Sequence, residues 1–488
     1  MSENVSNISF KSDNESFVVS MCRGKLTDNG ATPWYAEMEI GDQSGFKFMI
    51  DTGTTHTWIT STECKTNACN CHRKYYPCNP LDPNNPVGID FGPWGQMLAC
   101  LCKDRFTLQD KYKVVIDETF YCSTYYTGDQ FKELVCDGAI AIPSFKHTDH
   151  DLIKSNGSNI KLSKASYTDS GLILEKLKEN DFINQCIVTF DFYPESKKGT
   201  CRFGDYTNNS TPNIIPIIKS GPYYKLWTIC LDSLNYNGEN ILNNLNFILD
   251  TGSSRFKGDP EYINQIIDKI TDGGRFPKVV DNENDLKNYN DITLEINTQS
   301  YTLKPDEYFL KIENENESVW KLAFHPMVGL ENYLLVGSAF LDTVISSFNY
   351  DDSTITLYKK ENNILNLQGK WFNEFGSEMI LKIKDNKYVE GIYKSDTGAT
   401  GTYTVVGIAD EKPEGNSQTV AFAVSWRPIE KEKADPTFNW VSGFAGQLQM
   451  IDEEEVLTTT YLLSKNTNPE DNWGSTIVDK ATFKRKPY

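Results

Sequence analysis

The sequence Phe-Met-Ile-Asp-Thr-Gly-Thr at residues 48–54 is the strongest indication of the fold, because Phe-Ile-Leu-Asp-Thr-Gly-Ser repeats it at residues 247–253. In each copy an apolar run, typical of a buried strand, ends in Asp-Thr-Gly followed by a hydroxyl residue. Glycine lets the backbone turn sharply, and the neighbouring hydroxyls can hydrogen-bond the carboxylate. Turn chemistry explains one Asp-Thr-Gly. Two copies behind apolar strands predict a site built from Asp51 and Asp250.

The length and charge of the chain exclude several classes of function. Its 488 residues are enough for about three structural units, and 39% of them are hydrophobic, so sizeable cores can form. The formal net charge of −19 argues against a nucleic acid or an anionic membrane surface as a partner. No apolar run approaches the ~20 residues of a membrane-spanning helix.

From about residue 17 to residue 360, the motifs and their order resemble those of pepsin-like aspartic proteases. After the first Asp-Thr-Gly comes Asp-Gly-Ala-Ile-Ala-Ile at residues 137–142, and after the second comes Leu-Leu-Val-Gly-Ser-Ala-Phe-Leu at residues 334–341. The resemblance implies a mainly all-β, bilobal fold in which each lobe contributes one aspartate. The expected parts are an N-terminal tail (1–16), an N-lobe (about 17–200) and a C-lobe (about 201–360).

The same resemblance implies an aspartic endopeptidase that acts on peptide or protein substrates. Asp51 and Asp250 would flank one water molecule and share a proton, because two carboxylates held close together do not both ionise. The ionised carboxylate takes a proton from the water, and the protonated one donates to the peptide carbonyl oxygen. Thr54 and Ser253 would orient the outer carboxylate oxygens. The reaction needs neither a metal ion nor a cofactor.

Residues 89–97 lie where this family has its flap, a β-hairpin that closes over the cleft. Phe91 takes the position of the flap tyrosine, so the hydroxyl that would join the network beside the aspartates is missing. Trp94, at the hairpin tip, carries an indole N–H that can partly replace it. An ordinary exposed Gly/Pro turn is the alternative interpretation.

All 12 cysteines fall between Cys22 and Cys230. Four of them form a group: Cys64, Cys69, Cys71 and Cys78. This group indicates either a disulfide, which the resemblance implies just after the first active-site strand, or a zinc site with His72. The disulfide is favoured because Cys-x-Cys is poor spacing for tetrahedral zinc. The cysteines favour secretion, but no apolar signal-peptide core follows Met1, so the cytoplasm stays an alternative.

Beyond residue 366 the pattern changes to short alternating strands separated by polar turns, which predicts an antiparallel barrel of about eight strands. Gly-Lys-Trp-Phe-Asn-Glu-Phe-Gly-Ser at residues 369–377 resembles the opening of avidin and streptavidin, and the resemblance covers residues 366–488. A small barrel has room for one small ligand. The resemblance implies biotin as the candidate ligand and a homo-oligomer whose pockets share an aromatic side chain across subunits.

The resemblance also assigns the residues of the pocket. Asn373, Ser377 and Tyr393 would face the ureido oxygen of biotin, and Ser395 a ureido nitrogen. The remaining assignments are the loop near the valerate chain (Thr397, Gly398 and Ala399), the walls (Trp426, Phe444, Tyr461 and Leu463), and Trp473, which would enter a neighbouring subunit's site. Two positions depart from the pattern. Ala481 replaces an Asp or Asn that pairs with the other ureido nitrogen, and Tyr461 replaces a tryptophan.

Three interpretations of the whole chain remain. The first is an active aspartic endopeptidase with an avidin-like, oligomerising domain. The second is a catalytically inactive protease-like scaffold whose main role is ligand binding by the barrel. The missing flap tyrosine favours this scaffold, but two retained aspartates count against it. The third is an artificial fusion of a protease and a tag, which is disfavoured because an engineered tag would keep the residues that Ala481 and Tyr461 replace.

Overall fold

The structure is a computed structural model, and it divides the chain into two compact units, Met1–Lys360 and Glu361–Tyr488. The residues that it describes are 16–75, 79–81, 86–91, 95–108, 114–144, 172–208, 210–313, 318–360, 365, 367–384, 387–395, 400–410, 417–429, 439–451 and 454–485. Strands dominate both units, as the sequence patterns predict.

The N-terminal part of the first unit is built on a sheet of 13 strands among the described residues. Eleven of them come first in the chain: β1 (Ser16–Arg23), β2 (Trp34–Ile40), β3 (Gln43–Asp51), β4 (Trp58–Thr60), β5 (Val87–Asp90), β6 (Gln96–Leu108), β7 (Val114–Tyr126), β8 (Gly138–Ala141), β9 (Ile187–Tyr193), β10 (Lys198–Gly204) and β11 (Asn213–Pro216). Strand β3 pairs in parallel with β8 and antiparallel with β2, so Asp51 ends an interior strand of the sheet.

The C-terminal part of the first unit has its own sheet of seven described strands, in the order β17-β16-β12-β13-β21-β14-β20. Its strands and those that follow are β12 (Thr228–Tyr236), β13 (Glu239–Leu249), β14 (Phe256–Gly258), β15 (Val279–Val280), β16 (Ile292–Ile296), β17 (Gln299–Leu303), β18 (Phe309–Glu313), β19 (Ser318–Leu322), β20 (Phe324–Pro326), β21 (Tyr333–Val336), β22 (Val344–Asn349) and β23 (Thr354–Lys359). Strands β15, β18 and β19 form a small sheet, and β22 and β23 return to the first sheet. Strand β13 pairs in parallel with β21, as β3 does with β8, so the sequence repeat is also a structural repeat.

The helices are short: α1 (Ile173–Glu179), α2 (Pro260–Ile270), α3 (Pro305–Tyr308) and α4 (Ser338–Leu341), with 3₁₀ turns at Asn67–Cys69, Asp129–Glu133, Glu283–Asn288 and Pro469–Gly474. Helix α2 begins where Asp259 accepts the N–H of Glu261 at 2.8 Å, and Pro260 occupies its first turn. Its isoleucine stripe (Ile263, Ile266, Ile267 and Ile270) is buried. Within the described part of the chain, no helix is long and apolar enough to cross a membrane.

The second unit is a closed antiparallel barrel of eight strands. These are β24 (Gly369–Asn373), β25 (Glu378–Lys384), β26 (Tyr388–Ser395), β27 (Gly401–Ala409), β28 (Ser417–Ser425), β29 (Val441–Ile451), β30 (Glu454–Ser464) and β31 (Thr476–Lys484). Buried and exposed side chains alternate along most of its strands, and Trp371, Tyr403 and Phe483 fill the interior. The mainly β fold class and the eight-stranded barrel are confirmed.

Candidate functional site

The two Asp-Thr-Gly loops meet because each follows a buried strand, β3 or β13, that runs into the centre of the first unit. The N–H of Asp250 donates to the carbonyl of Val336 at 2.9 Å, and the carbonyl of Asp51 accepts the N–H of Ile142 at 2.8 Å. These bonds extend the parallel pairings past the strand ends. Each aspartate is therefore fixed at its backbone before its side chain enters the cleft.

Two threonines lock the loops to each other. The hydroxyl of Thr52 donates to the carbonyl of Leu249 at 2.8 Å, and that of Thr251 donates to the carbonyl of Ile50 at 2.7 Å. Each hydroxyl also accepts the other threonine's backbone N–H at 3.0 Å. The sequence predicts that hydroxyls of the motif hydrogen-bond the carboxylates. For Thr52 and Thr251 this expectation is wrong, because their hydroxyls bridge the two strand ends instead.

The two carboxylates face each other across these loops. The N–H of Gly53 donates to Asp51 Oδ1 at 2.7 Å, and the N–H of Gly252 donates to Asp250 Oδ1 at 2.9 Å. A Cβ atom at Gly53 would lie 2.2 Å from Asp250 Oδ1, and one at Gly252 would lie 2.5 Å from Asp51 Oδ1. Glycine is required at both positions, because any side chain would collide with the opposite carboxylate.

The protonation of the pair follows from this burial. Burial raises the pKa of Asp51 well above its usual range, and the charge of Asp250 raises that pKa further. The N–H of Gly53 and the ammonium of Lys257 oppose the rise. The pair therefore retains a proton at pH values at which an isolated aspartate is ionised. The arrangement places an acid and a base at one point, which is the requirement for general acid–base hydrolysis.

Thr54 and Ser253 lie in the loops, as predicted, and both are buried. Thr54 Oγ1 lies 3.5 Å from the backbone nitrogen of His56, and Ser253 Oγ accepts a hydrogen bond from the ammonium of Lys257 at 2.9 Å. Among the side-chain hydrogen bonds of the described residues, none joins these two hydroxyls to a dyad carboxylate. Their role in orienting the carboxylates stays a prediction.

The flap region forms the predicted hairpin from β5 and β6, closed where the N–H of Phe91 donates to the carbonyl of Gly95 at 3.0 Å. The ring of Phe91 packs edge-on against Trp58 at 5.8 Å between centroids, and against Phe131 at 5.6 Å. Phe91 is thus part of an aromatic cluster behind the first aspartate. Trp94 lies outside the described residues.

The polar residues assigned to the barrel pocket lie at one end of the barrel. Asn373, Ser377, Tyr393 and Ser395 are all buried. Asn373 Nδ2 donates to the Tyr393 hydroxyl at 3.1 Å, and Asn373 Oδ1 accepts the N–H of Ser377 at 2.8 Å. Burial raises the pKa of Tyr393, so its hydroxyl stays a hydrogen-bond donor. The structure brings predicted polar groups from β24, the β24–β25 turn and β26 into one cluster.

Aromatic side chains border this cluster. Trp426 packs against Tyr393 at 5.6 Å and donates its indole N–H to Ser442 Oγ at 2.8 Å, while Phe444 packs against Tyr461 at 5.0 Å. Leu463 lies two residues beyond Tyr461 on the same side of β30. Two assignments are not tested: Trp473, expected in a neighbouring subunit's site, is 89% exposed in the single chain, and Thr397, Gly398 and Ala399 lie outside the described residues. Ala481 is buried on β31, and its carbonyl accepts the hydroxyl of Thr459 at 2.9 Å.

Both units match models of known protein families. Residues 33–360 match the model of the family described as "Eukaryotic aspartyl protease". The chain belongs to this family. Residues 361–486 match the model of the Avidin family. The predicted succession of a pepsin-like region and an avidin-like domain is confirmed.

Curated relatives of the protease region share modest identity with the chain. Plasmepsin VIII of Plasmodium berghei (strain Anka) is 26% identical over 352 residues, which are 66% of this chain and 86% of that protein. A probable aspartic-type endopeptidase CTSD of Trichophyton verrucosum (strain HKI 0517) is 23% identical over 350 residues, 66% of this chain and 60% of its own. Cathepsin E of Rattus norvegicus is 24% identical over 297 residues, 57% of this chain and 66% of its own.

The cysteine group behind the first aspartate contains a disulfide, as predicted. Cys64 and Cys69 are bonded to each other, and Cys71 is a free, exposed thiol. His72, the candidate zinc ligand, is buried and hydrogen-bonds through Nε2 to the carbonyl of Phe131 at 2.6 Å. Two of the five groups considered for zinc are therefore engaged with each other and a third with the backbone. Cys78 lies outside the described residues.

Some residues of the two sites could not be predicted from the sequence. Thr52 and Thr251 were visible as the repeated middle residue of each motif, but their partners depend on the meeting of the two parts of the unit. Ser442 and Tyr403, which contact Trp426, carry no motif signal beyond strand alternation. Lys257 had no signal at all, because a lysine after a loop is usually a solvated surface residue.

Proposed function

We propose that the chain is an aspartic endopeptidase whose C-terminal domain binds biotin. The endopeptidase function is supported by the pair of carboxylates, Asp51 and Asp250, which face each other in loops joined by reciprocal threonine hydrogen bonds. A scaffold without catalytic function has no need for two adjacent buried acids, since their repulsion destabilises the fold. Retaining them indicates that the pair performs chemistry.

In the proposed reaction, one water molecule lies between the two carboxyl groups. The ionised carboxylate accepts a proton from this water, and the water oxygen attacks the peptide carbonyl carbon. The protonated carboxyl donates its proton to the carbonyl oxygen, which gives a neutral tetrahedral intermediate. Collapse of the intermediate transfers a proton to the leaving nitrogen and breaks the C–N bond. Asp51 and Asp250 exchange roles as acid and base during the cycle.

The threonine bonds contribute to the proposed reaction by fixing the geometry. General acid–base catalysis requires the donor and acceptor atoms to lie within hydrogen-bond reach of the water and the carbonyl. Thr52 and Thr251 connect the two strand ends directly, so the carboxylates cannot separate without breaking four buried hydrogen bonds. The pair is therefore preorganised before substrate arrives.

Digestion of unfolded casein by the full chain across pH tests this half. We expect cleavage in acid that declines as the pH rises past the second apparent pKa of the pair, when both carboxylates ionise. A peptide inhibitor that mimics the tetrahedral intermediate should abolish cleavage, whereas a metal chelator should leave it unchanged. Absence of cleavage at every pH, or cleavage that the chelator stops, would contradict the proposal.

The second half, biotin binding, is supported by the buried cluster of Asn373, Ser377 and Tyr393. These side chains supply an amide N–H and two hydroxyls, which are suitable donors for a ureido oxygen. Trp426 and Phe444 supply the apolar walls that a fused-ring ligand needs. Ala481 offers no side-chain acceptor for a ureido N–H, so we expect affinity below that of a fully complementary pocket.

Calorimetric titration of the full chain with biotin tests the second half. Tyr393→Phe removes one donor to the ureido oxygen and should weaken binding roughly 5- to 150-fold, the cost of a lost buried hydrogen bond. Tyr388→Phe is the matched control, because Tyr388 lies on the same strand with its side chain exposed. No heat with the wild type, or equal affinities for both variants, would contradict biotin binding at this cluster.

A further inference from the structure

Lys257 is a charged residue beside the aspartate pair that the proposed reaction does not use. It lies in the short strand β14, just beyond the second Asp-Thr-Gly loop. Its Nζ donates to Ser253 Oγ at 2.9 Å, and its charge acts on both Asp250 and Asp51. The ammonium group therefore lies at the edge of the catalytic site, close to where substrate must bind.

The ammonium of Lys257 has fewer hydrogen-bond acceptors than it has N–H donors. It carries three N–H donors. Within the described residues, the Ser253 hydroxyl is its one hydrogen-bond acceptor, and no carboxylate lies within ion-pair distance of it. Burial lowers the pKa of Lys257, which indicates that water solvates the ammonium incompletely. A cation with few partners and little water gains strongly from an incoming anion.

The surroundings of Lys257 are positive although the whole chain is acidic. Arg255 and Lys321 both form ion pairs with Asp28, so two cations already balance the charge of this carboxylate. His325 lies near this group, and burial, followed by the charges of Arg255 and Lys257, lowers its pKa. With one proton on the aspartate pair, three cations face two negative charges: Asp28 and the ionised member of the pair. The local excess is positive, against a net charge of −19 overall.

The surroundings of the ammonium include the backbone at Gly30. Gly30 lies against Lys257, and a Cβ atom built on Gly30 would be 3.6 Å from Lys257 Cε and 3.7 Å from Nζ. The segment around Gly30 is held on the second loop, where the N–H of Ser254 donates to the carbonyl of Gly30 at 3.1 Å. The lysine side chain is partly exposed at this edge. A side chain at position 30 would contact the ammonium, and glycine avoids that contact.

We propose that Lys257 is a specificity-determining residue that selects peptides with an Asp or Glu side chain near the scissile bond. The inference rests on the proposed endopeptidase function and adds a substrate class to it. A substrate carboxylate would complete the hydrogen bonds of the ammonium and balance the local positive charge. A charge-assisted bond of this kind corresponds to a preference of roughly 10- to 100-fold for Glu over Gln.

Matched peptides that differ only by Glu or Gln, placed in turn at each position around one cleavable bond, test the inference. For the wild type we expect kcat/KM to favour Glu roughly 10- to 100-fold at one position. Lys257→Met keeps the length of the side chain and should abolish the preference, so that kcat/KM becomes equal for the Glu and Gln peptides. Lys257→Arg should keep the preference. Lys257→Glu should favour Lys over Gln at the same position.

The pH dependence of the preference is a second readout. The Glu side chain of a free peptide has a pKa of about 4.3, so the wild-type Glu/Gln ratio should rise as the pH increases through that value. The ionisation of Asp51 and Asp250 affects both peptides equally and cancels in the ratio. A wild-type ratio near one at every position would overturn the inference while leaving the endopeptidase function standing. So would a ratio that Lys257→Met does not change.

A binding measurement distinguishes failure of this inference from failure of the endopeptidase function. If no peptide is cleaved, calorimetry with a non-cleavable hydroxyethylene peptide carrying Glu or Gln reports on the same subsite. A Glu preference that Lys257→Met removes would support the role of Lys257 in binding and overturn only the catalytic proposal. Equal binding of the two peptides, or no binding, would overturn the inference as well.

Discussion

At the scale of single residues, the first unit shields one further carboxyl group, Asp342, besides the Asp51–Asp250 pair. Asp342 is half-buried, and Trp34 Nε1 donates to its Oδ1 at 2.9 Å while Lys360 donates to its backbone carbonyl at 2.8 Å. Burial raises the pKa of Asp342 to about 6, although the charges of Arg23 and Lys360 oppose the rise. In the unfolded chain this carboxyl has its ordinary pKa of 3.8.

The pKa of Asp342 predicts how stability depends on pH. Between pH 3.8 and about 6 the folded state binds the proton and the unfolded state does not, so the free energy of unfolding should rise as the pH falls through this window. The contribution is at most ~3 kcal/mol. Urea unfolding of the wild type and Asp342→Asn at pH 4, 5, 6 and 7 measures it. The variant should lose this part of the pH dependence, and identical dependence in both proteins would contradict the assignment.

A second prediction at the residue scale concerns Ala481. Aspartate at this buried position would supply the acceptor that a ureido N–H lacks, and a buried unpaired donor costs ~1–3 kcal/mol. We expect Ala481→Asp to bind biotin more tightly than the wild type, by up to about 100-fold. Calorimetry measures the change, with Ala481→Val as a control that adds volume without an acceptor. Weaker binding by the Asp variant than by the Val variant would show that position 481 does not face the ligand.

At the scale of elements, the joined Asp-Thr-Gly loops hold the two parts of the first unit together at the active site. The hydroxyl of Thr251 both donates, to the carbonyl of Ile50, and accepts, from the N–H of Thr52. These are buried groups, so a partner lost there is not replaced by water. The stability of this junction and the geometry of the carboxylates therefore depend on the same bonds.

Two substitutions of Thr251 test the contribution of its hydroxyl separately from that of its side-chain shape. Thr251→Val is nearly isosteric but removes both bonds, and it should lower the free energy of unfolding by ~1–3 kcal/mol and reduce kcat. Thr251→Ser keeps the hydroxyl and should retain most of the stability and activity. Urea unfolding and casein cleavage report the two effects. If Val proved as stable and active as Ser, the reciprocal bonds would not be what joins the loops.

Local elements of this chain could be predicted from sequence because their signals are local. The cap at Asp259, the isoleucine stripe of α2 and the alternation of the barrel strands each lie within a few turns or strands of chain. Asp51 and Asp250 were recognisable because the motif occurs twice. The partners of Thr52 and Thr251, the packing of Phe91 on Trp58 and the placement of Lys257 beside the pair were not predictable. Each depends on contacts that only the tertiary fold creates.

At the scale of the whole molecule, the barrel exposes apolar side chains that its own interior does not use. Trp473 is 89% exposed, and Val478, Ile408, Val406 and Leu462 are each between 46% and 64% exposed. Leu462 and Val478 are cross-strand neighbours on β30 and β31, and Trp473 lies in the 3₁₀ turn that precedes β31. Exposed apolar side chains that group together on a folded unit indicate a protein–protein contact. We propose that the barrel assembles with further copies of the chain, with Trp473 in the contact.

Light scattering of the full chain tests the assembly. We expect a dimer or tetramer at micromolar concentration, and Trp473→Ser should shift the equilibrium toward the monomer because an exposed tryptophan is a typical anchor of an interface. Val328→Ser is the control, because Val328 is similarly exposed, at 83%, but belongs to the first unit. A wild-type chain that stays monomeric would contradict the proposal and leave Trp473 without its assigned role.

Hydrolysis by two carboxyl groups that share a proton is tested most directly with two single variants, Asp51→Asn and Asp250→Asn. The measurement is their activity on casein. Each change keeps the shape of the side chain but removes either the acid or the base, so kcat should fall by ~10²–10⁴-fold in both. Asp268→Asn is the matched control, since Asp268 is exposed on α2, and it should cleave casein like the wild type. Near-wild-type activity in either dyad variant would contradict the two-carboxylate mechanism.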